Sequence, residues 1–290
     1  MPVPAEQLPA EPALESFLPS RLLGRLADAG AEPSEARFDG TVLFADVSGY
    51  TRLTETLCGA GDEGLERLSG LLNQSFSRYV EVVHAHGGEV ASFAGDSLLA
   101  CWEAGGADEA RRCAEALRGD ELHLGLASGP IWVARLGGWF GGWELLVGGA
   151  AVREAFQCAT RAKKGEAVVG DLLVRDAPSR PPPLRGGGGD PLRGGGGALA
   201  WHRGLLPRIV RERGATVPAE LRVVSCLFVR IDGLDETSPQ ALGRAQAAVF
   251  ALREAMTGRA GSTRRLVLDD KGLVFILVLG DPLNAHTDDA

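Results

Sequence analysis

Apolar residues recur along this chain at two spacings, period two and helical, and the alternation divides most of it into strands and helices. Thr41 to Ala45 reads as a buried strand that ends on Asp46 and runs into a Ser-Gly turn. From Asp62 the apolar positions are Leu65, Leu68, Leu72, Phe76, Tyr79, Val80 and Val83, a helical stripe that stops at Gly87-Gly88 and is assigned to the core. Glu89 to Phe93 and Ser97 to Trp102 are two apolar strands joined by Gly95-Asp96, a hairpin signal. A helix over Asp108 to Arg118 follows, then a strand Leu122 to Ala127, and strands Ile131 to Leu136 and Glu144 to Val147 around a Gly/Trp-rich turn. A helix from Ala150 to Lys163 and a strand at Ala167 to Val169 close the unit. Helices interleaved with hairpins predict an α+β sandwich with helices on one face of a mostly antiparallel sheet.

Outside this unit the pattern changes. Residues 1–37 form an N-terminal extension, Pro/Glu/Ala-rich at first, with one short amphipathic piece at Phe17 to Leu26. Pro178 to Gly197 (PSRPPPLRGGGGDPLRGGGG) cannot build a packed core, because its prolines favour extended chain and its glycines flexible coil. It reads as a linker, followed by a connector helix at Trp201 to Arg213. An internal repeat then emerges: Ser225 to Leu234 can be laid on Thr41 to Tyr50, with Phe228 on Phe44, Arg230 on Asp46 and Gly233 on Gly49. An amphipathic helix (Leu242 to Met256) and a hairpin (Arg265 to Leu268, Gly272 to Leu279) follow in the same order. The expected domains are therefore 38–178, a linker and connector at 179–220, and a partial second copy at 221–290.

Charge narrows the function. A formal net charge of −8 argues against nucleic-acid binding, which needs a clustered basic surface. The five cysteines (Cys58, Cys101, Cys113, Cys158, Cys226) are odd in number and lack metal-ligand spacing, and they read as reduced core residues. The N-terminus has no basic start or apolar h-region, and the longest apolar run, Leu273 to Leu279, is too short to span a bilayer. No membrane partner and a cytoplasmic location are expected.

The chemistry gathers at two strand ends. Asp46 precedes a turn whose free backbone N–H groups could cradle phosphate, and Asp96 sits in the hairpin turn, fifty residues later. Either alone is an ordinary turn former. Together, if their strands are neighbours, they are what hard divalent cations need, because magnesium takes oxygen ligands and keeps substrate phosphates as the remainder.

FADVSGYT followed by FAGDSLLA resembles the class III nucleotidyl cyclases, the soluble, bicarbonate-responsive adenylyl cyclases and their bacterial relatives most closely. The resemblance implies a ferredoxin-like cyclase homology domain followed by a partial second copy. It implies an adenylyl cyclase that converts ATP to 3′,5′-cyclic AMP and pyrophosphate by two-metal-ion catalysis, with ATP bound between two homologous domains paired within the chain, in a larger multidomain protein. Asp46, Asp96 and the backbone carbonyl of Val47 would hold two Mg2+ ions, with Mn2+ as the alternative. Ser48, Gly49, Tyr50 and Thr51 would bind phosphate, and His123 takes the place where the family has a phosphate-binding Lys or Arg. Base recognition falls near Arg265, with Lys271 as the alternative.

Three departures bear on activity. Ser92 stands where soluble cyclases carry a bicarbonate-binding lysine, and Ala155 where they carry the bicarbonate arginine, with Arg153 nearby. A neutral imidazole at His123 is a weaker phosphate partner than an obligate cation. The family's transition-state Asn and Arg would lie beyond Ala290, so the 290-residue chain is expected to turn over slowly by itself. The competing expectation is a degenerate cyclase-homology module that binds nucleotide or dimerises and regulates other domains.

Overall fold

The chain lays down a βαββαβ order before anything else. The structure, a computed structural model, describes residues 18–26, 32–47, 49–118, 122–138, 142–170, 205, 224–257, 261–269 and 272–279. After a short helix α1 (Ser20–Gly24), strand β1 (Ser34–Val47) leads through helices α2 (Tyr50–Cys58) and α3 (Asp62–Ala85) to the hairpin β2 (Glu89–Ala94) and β3 (Ser97–Glu103). Helix α4 (Ala107–Leu117) and strand β4 (Leu122–Gly137) complete the motif, and β5 (Trp143–Gly148), α5 (Ala150–Arg161) and β6 (Glu166–Val169) extend it. The strand order β2-β3-β1-β4-β5, with β6 also on β4, makes β1 central, as a split βαβ arrangement requires. The architecture is α+β, as the sequence predicts.

Two strands are longer than their apolar patterns. β1 begins at Ser34 instead of Thr41, and the expected strands at 122–127 and 131–136 are one strand, β4, that carries Gly129-Pro130 within it. Helix α2, directly after the Ser-Gly turn, is absent from the sequence reading. Its residues are mostly exposed, so they leave no clear apolar stripe.

By contacts the chain divides into two compact units. One comprises Phe38–Ile131 and Gly149–Gly186; the other comprises Met1–Arg37, Trp132–Gly148 and Gly187–Ala290. In the first, the α3 stripe performs as predicted: Leu68, Tyr79 and Val83 are buried, and Phe76 and Val80 pack on the same core. Leu43, Ala45, Leu98, Ala100 and Trp102 line that core from the sheet, and Cys113 and Leu117 from α4. Trp102 also donates from Nε1 to the carbonyl of His86, at 2.8 Å, which satisfies the ring's one polar group.

The second unit contains β7 (Ser225–Ile231), α6 (Ala241–Thr257), β8 (Gly261–Asp269) and β9 (Gly272–Leu279). The sheet order β7-β9-β8 repeats β1-β3-β2, strand for strand, so the repeat is one of topology as well as sequence. The register differs from the sequence alignment. Asp46 pairs with Ser97, the residue after its hairpin turn, and the ladder that pairs Ile231 with Leu273 leads to Asp232, not Arg230, beside the corresponding Gly272. Arg230 and Asp232 form an exposed ion pair at 2.9 Å.

The β4–β5 hairpin belongs to this second unit. Trp132, Leu136 and Leu146 share a core with Ala241, Ala245, Val249 and Met256 of α6 and with Phe275 and Leu277 of β9. Gln246 bonds both backbone groups of Gly137, accepting from its N–H at 2.8 Å and donating to its carbonyl at 2.9 Å. Arg253 donates to Gly142 O and pairs with Glu144, each at 2.8 Å.

All five cysteines are free, but the core reading holds for Cys101, Cys113 and Cys158 only; Cys58 and Cys226 are exposed. Among the described residues no helix is long and apolar enough to cross a membrane. The expected linker at 178–197 lies outside the described residues, as does the connector helix at 201–213 apart from residue 205.

Candidate functional site

Asp46 and Asp96 are brought together by the sheet. The antiparallel ladder of β1 and β3 pairs Asp46 with Ser97, so Asp96, the last residue of the turn, stands beside the end of β1. The backbone N–H of Val47 donates to the carbonyl of Asp96 at 3.1 Å and ties the two ends. Gly95, with φ 60°, lets the chain reverse in two residues, and Gly49, with φ 74°, turns it from β1 into α2. Both carboxylates are half-buried.

Their charges oppose each other. Burial, and then the neighbouring Asp96 carboxylate, push Asp46 up to about 6, with the imidazole of His123 pulling the other way. His123 lies on β4, the other neighbour of β1. Thr41 Oγ1 is 2.6 Å from Ser128 Oγ, and Arg37 stacks on Trp132, so positions fall along β4 as they rise along β1. The same register carried to the strand end sets Asp46 opposite His123. Across β3, β1 and β4, the row Ser97, Asp46, His123 forms one end of the sheet.

His123 is held from the side of α5. Its Nδ1 lies 2.9 Å from the carbonyl oxygen of Ala162, the C-cap of α5, and a carbonyl can only accept, so Nδ1 carries the proton. Gly125, two residues along β4, permits the close packing: a Cβ there would lie 1.9 Å from Ala155 O and 2.4 Å from Ala159 N. Phe156 of α5 packs on Phe44 of β1 with ring centroids 4.1 Å apart. Sequence reasoning finds His123 by its motif position. It misses Ala162, whose backbone contribution leaves no side-chain signal, and Gly125, whose strand position inside Leu-Gly-Leu marked a close backbone approach.

The other expected site residues divide by where they fall. Val47 ends β1, Gly49 caps α2 and Tyr50 opens it, all next to Asp46; the N–H of Val47 is used by Asp96, and only its carbonyl is left for a ligand. Ser48 and Lys271 lie outside the described residues, and for Thr51 and Arg265 only the backbone is described, in α2 and β8. Among the described residues no three His, Cys, Asp or Glu side chains converge as a complete metal site. Two half-buried carboxylates, one of them pushed up by burial and by the other, are nevertheless a hard-oxygen donor pair, which fits a divalent cation that takes its remaining ligands from phosphate and water.

A stretch of 73 residues, 24% of this chain, is 45% identical to adenylate cyclase type 10 of Rattus norvegicus. The human protein of that description shares 46% identity over 67 residues, and adenylate cyclase 1 of Rhizobium meliloti (strain 1021) 31% over 108 residues. The chain resembles the class III nucleotidyl cyclases. The matches span 4% of the length of the mammalian cyclases and 15% of the Rhizobium one. No family model matches the chain. Among solved structures, the adenylyl cyclase CyaB from P. aeruginosa aligns over 47% of this chain and 78% of its own, with 21% identity and a TM-score of 0.41. The guanylyl cyclase Cya2 aligns over 46% and 75%, with 22% identity and a TM-score of 0.39. The similar proteins thus include cyclases of both base specificities.

Proposed function

We propose that this chain is the catalytic region of an adenylyl cyclase, converting ATP to 3′,5′-cyclic AMP and pyrophosphate. The observation that carries the reading is the junction of β1 with the β2–β3 turn, where the half-buried carboxylates of Asp46 and Asp96 stand together, with the Val47 N–H bond fastening the two strand ends. Divalent ions, Mg2+ or Mn2+, would be held by Asp46, Asp96 and the Val47 carbonyl. When bound, they supply acidification of the ribose 3′-hydroxyl and neutralisation of charge on the departing pyrophosphate. The chain's own residues orient the substrate. The turn at Gly49 and the start of α2 at Tyr50 and Thr51, with Ser48, offer backbone N–H groups to phosphate. The rest of the sheet excludes water behind Asp46, since Leu43, Ala45 and Leu98 are buried beneath it.

In this reading residues 38–178 are a cyclase homology domain and 221–290 a partial second copy, supported by the repeated strand order. Adenine as the base is favoured by the identity to adenylate cyclases, and Arg265 and Lys271 are the proposed base contacts. The test is cyclic-nucleotide production from ATP and from GTP with Mg2+ or Mn2+, in wild type, Asp46→Asn and Asp96→Asn. Loss in both variants supports the reading; activity retained in either sinks it.

A second reading, a nucleotide-binding regulatory module, is favoured by His123: with Nδ1 given to Ala162, one ring nitrogen at most is left for phosphate, fewer donors than a Lys or Arg would offer there. Metal–nucleotide binding without any product from the longer protein would select it.

A further inference from the structure

We infer that β7 is an open docking edge whose occupant is β7 of a second copy of this chain, the two strands pairing antiparallel about Leu227 and Phe228 and joining two three-stranded sheets into one. Nothing in this pairing depends on the cyclase reading. Strand β7 holds the place in its sheet that β1 holds in the first unit, beside the second strand of a hairpin. β1 is paired on both edges, by β3 and β4, and its Val42, Leu43, Phe44 and Ala45 are buried. β7 pairs with β9, and among the described residues no strand runs along its other edge. Phe228 is in consequence 71% exposed, Leu227 42% and Val224 39%. Val229 and Ile231 pack on the core, so Phe228 lies on the opposite face of the sheet, beside Ile276 of β9.

Charge and symmetry select a second copy as the partner. Edge strands that stay alone are commonly guarded by charged side chains, because a row of unpaired N–H and C=O groups is a template for another strand. The run Val224 to Val229 has no charged residue, and Arg230, the first one beyond it, is already paired with Asp232 at 2.9 Å. Two such edges meet without like charges opposed. A two-fold axis sets them antiparallel, the direction in which β4 fills the same edge of β1. The pairing also closes on itself. At the far side of the sheet β5 lies against β8, where a Cβ on Gly148 would be 2.4 Å from Leu268 Cδ2, so β7 is the edge left open among the described residues. A seven-residue strand is roughly 23 Å long and makes a small interface, so the dimer is reversible, with a dissociation constant on the order of micromolar.

Analytical ultracentrifugation of the full chain across the micromolar range tests this, paired with amide hydrogen exchange at the two ends of that range. Wild type is expected to pass from monomer to dimer, with the amides of 225–231 gaining protection as the dimer forms. Phe228→Lys, a change at a solvent-facing position, should raise the dissociation constant at least about 30-fold, as loss of a central aromatic contact does, and keep the wild-type circular dichroism. Cys226→Lys, on the same exposed face, should act in the same direction and covers the case in which the first variant does not fold. Leu71→Lys, at an exposed apolar position on α3, should leave the dimer as it is. A wild type that stays monomeric throughout overturns the inference; in that case protected amides at 225–231 would show that another part of the same chain fills the edge, and unprotected ones that it stays open. A dimer that survives both β7 substitutions, or is lost equally in Leu71→Lys, uses another surface and overturns it too, as does growth into open-ended assemblies. None of these outcomes bears on the Asp46 and Asp96 site.

Discussion

The N–H of Val47 donates to the carbonyl of Asp96 at 3.1 Å, one bond beyond the last pair of the β1–β3 ladder, and ties the end of a central strand to a hairpin turn some fifty residues away. Asp46 is thereby held half-buried where its carboxylate meets that of Asp96, and its burial, with that repulsion added, has a cost that pH reveals.

Asp46 ionises at an ordinary value of 3.8 when unfolded and at about 6 in the folded chain. Below 3.8 it is protonated in both states and costs nothing; as pH rises through 6 the folded state must carry the charge, and stability is lost. Asp46→Asn should therefore melt a few degrees higher than wild type at pH 7.5 and at the same temperature near pH 3.5. The gain is on the order of 1 kcal/mol once solvent screening of this half-exposed group is allowed for. A melting temperature that falls at pH 7.5 would show that the buried, opposed charge is not a net cost to the fold.

Divalent cations should act in the opposite direction. Millimolar Mn2+ is expected to raise the melting temperature of wild type at pH 7.5 and to do nothing for Asp46→Asn or Asp96→Asn, since binding to the folded state alone stabilises by mass action. Scanning fluorimetry with and without the ion decides it.

Gly125→Ala tests the packing behind His123. With 1.9 Å to Ala155 O, the added methyl forces α5 off the sheet, at a cost of about 2–4 kcal/mol in urea denaturation. The same shift draws Ala162 away from the imidazole, so the Nδ1–H signal should change in nitrogen-15 spectra along with stability.

In the second unit, Arg253 and Glu144 are mostly buried, at 18% and 17% side-chain exposure, and pair at 2.8 Å. Arg253→Gln or Glu144→Gln alone should cost about 1–3 kcal/mol, because each leaves a charge poorly solvated, and the double variant should cost less than the sum. Additive losses in a double-mutant cycle would show that the two do not act as a pair.

What the sequence revealed was local, and what it hid was not. Asp46 and Asp96 were legible because turn chemistry is written in adjacent residues: Asp-Val-Ser-Gly in one case and Gly-Asp in the other. The α3 core face was legible because its stripe is long. Strand β4 was misread as two strands because Gly129-Pro130 is a turn signal, overridden here by pairing on the neighbouring strands. The alignment of Arg230 with Asp46 followed the residues, whereas the ladder counts hydrogen bonds and leads to Asp232. His123 and Ala162 are thirty-nine positions apart and joined through a backbone oxygen, which no side-chain pattern records.

The seating of the β4–β5 hairpin against α6 also limits how the chain can be divided. A cut anywhere in residues 179–220, where composition suggests a harmless linker and connector, leaves the amino-terminal fragment with Trp132, Leu136 and Leu146 stripped of their neighbours and the carboxy-terminal fragment with a bare α6 face. Neither piece should be soluble when expressed alone. Produced together they should reassemble, with Gln246 and Arg253 selecting the hairpin as a lock selects its key, so this chain is a natural starting point for a split reporter.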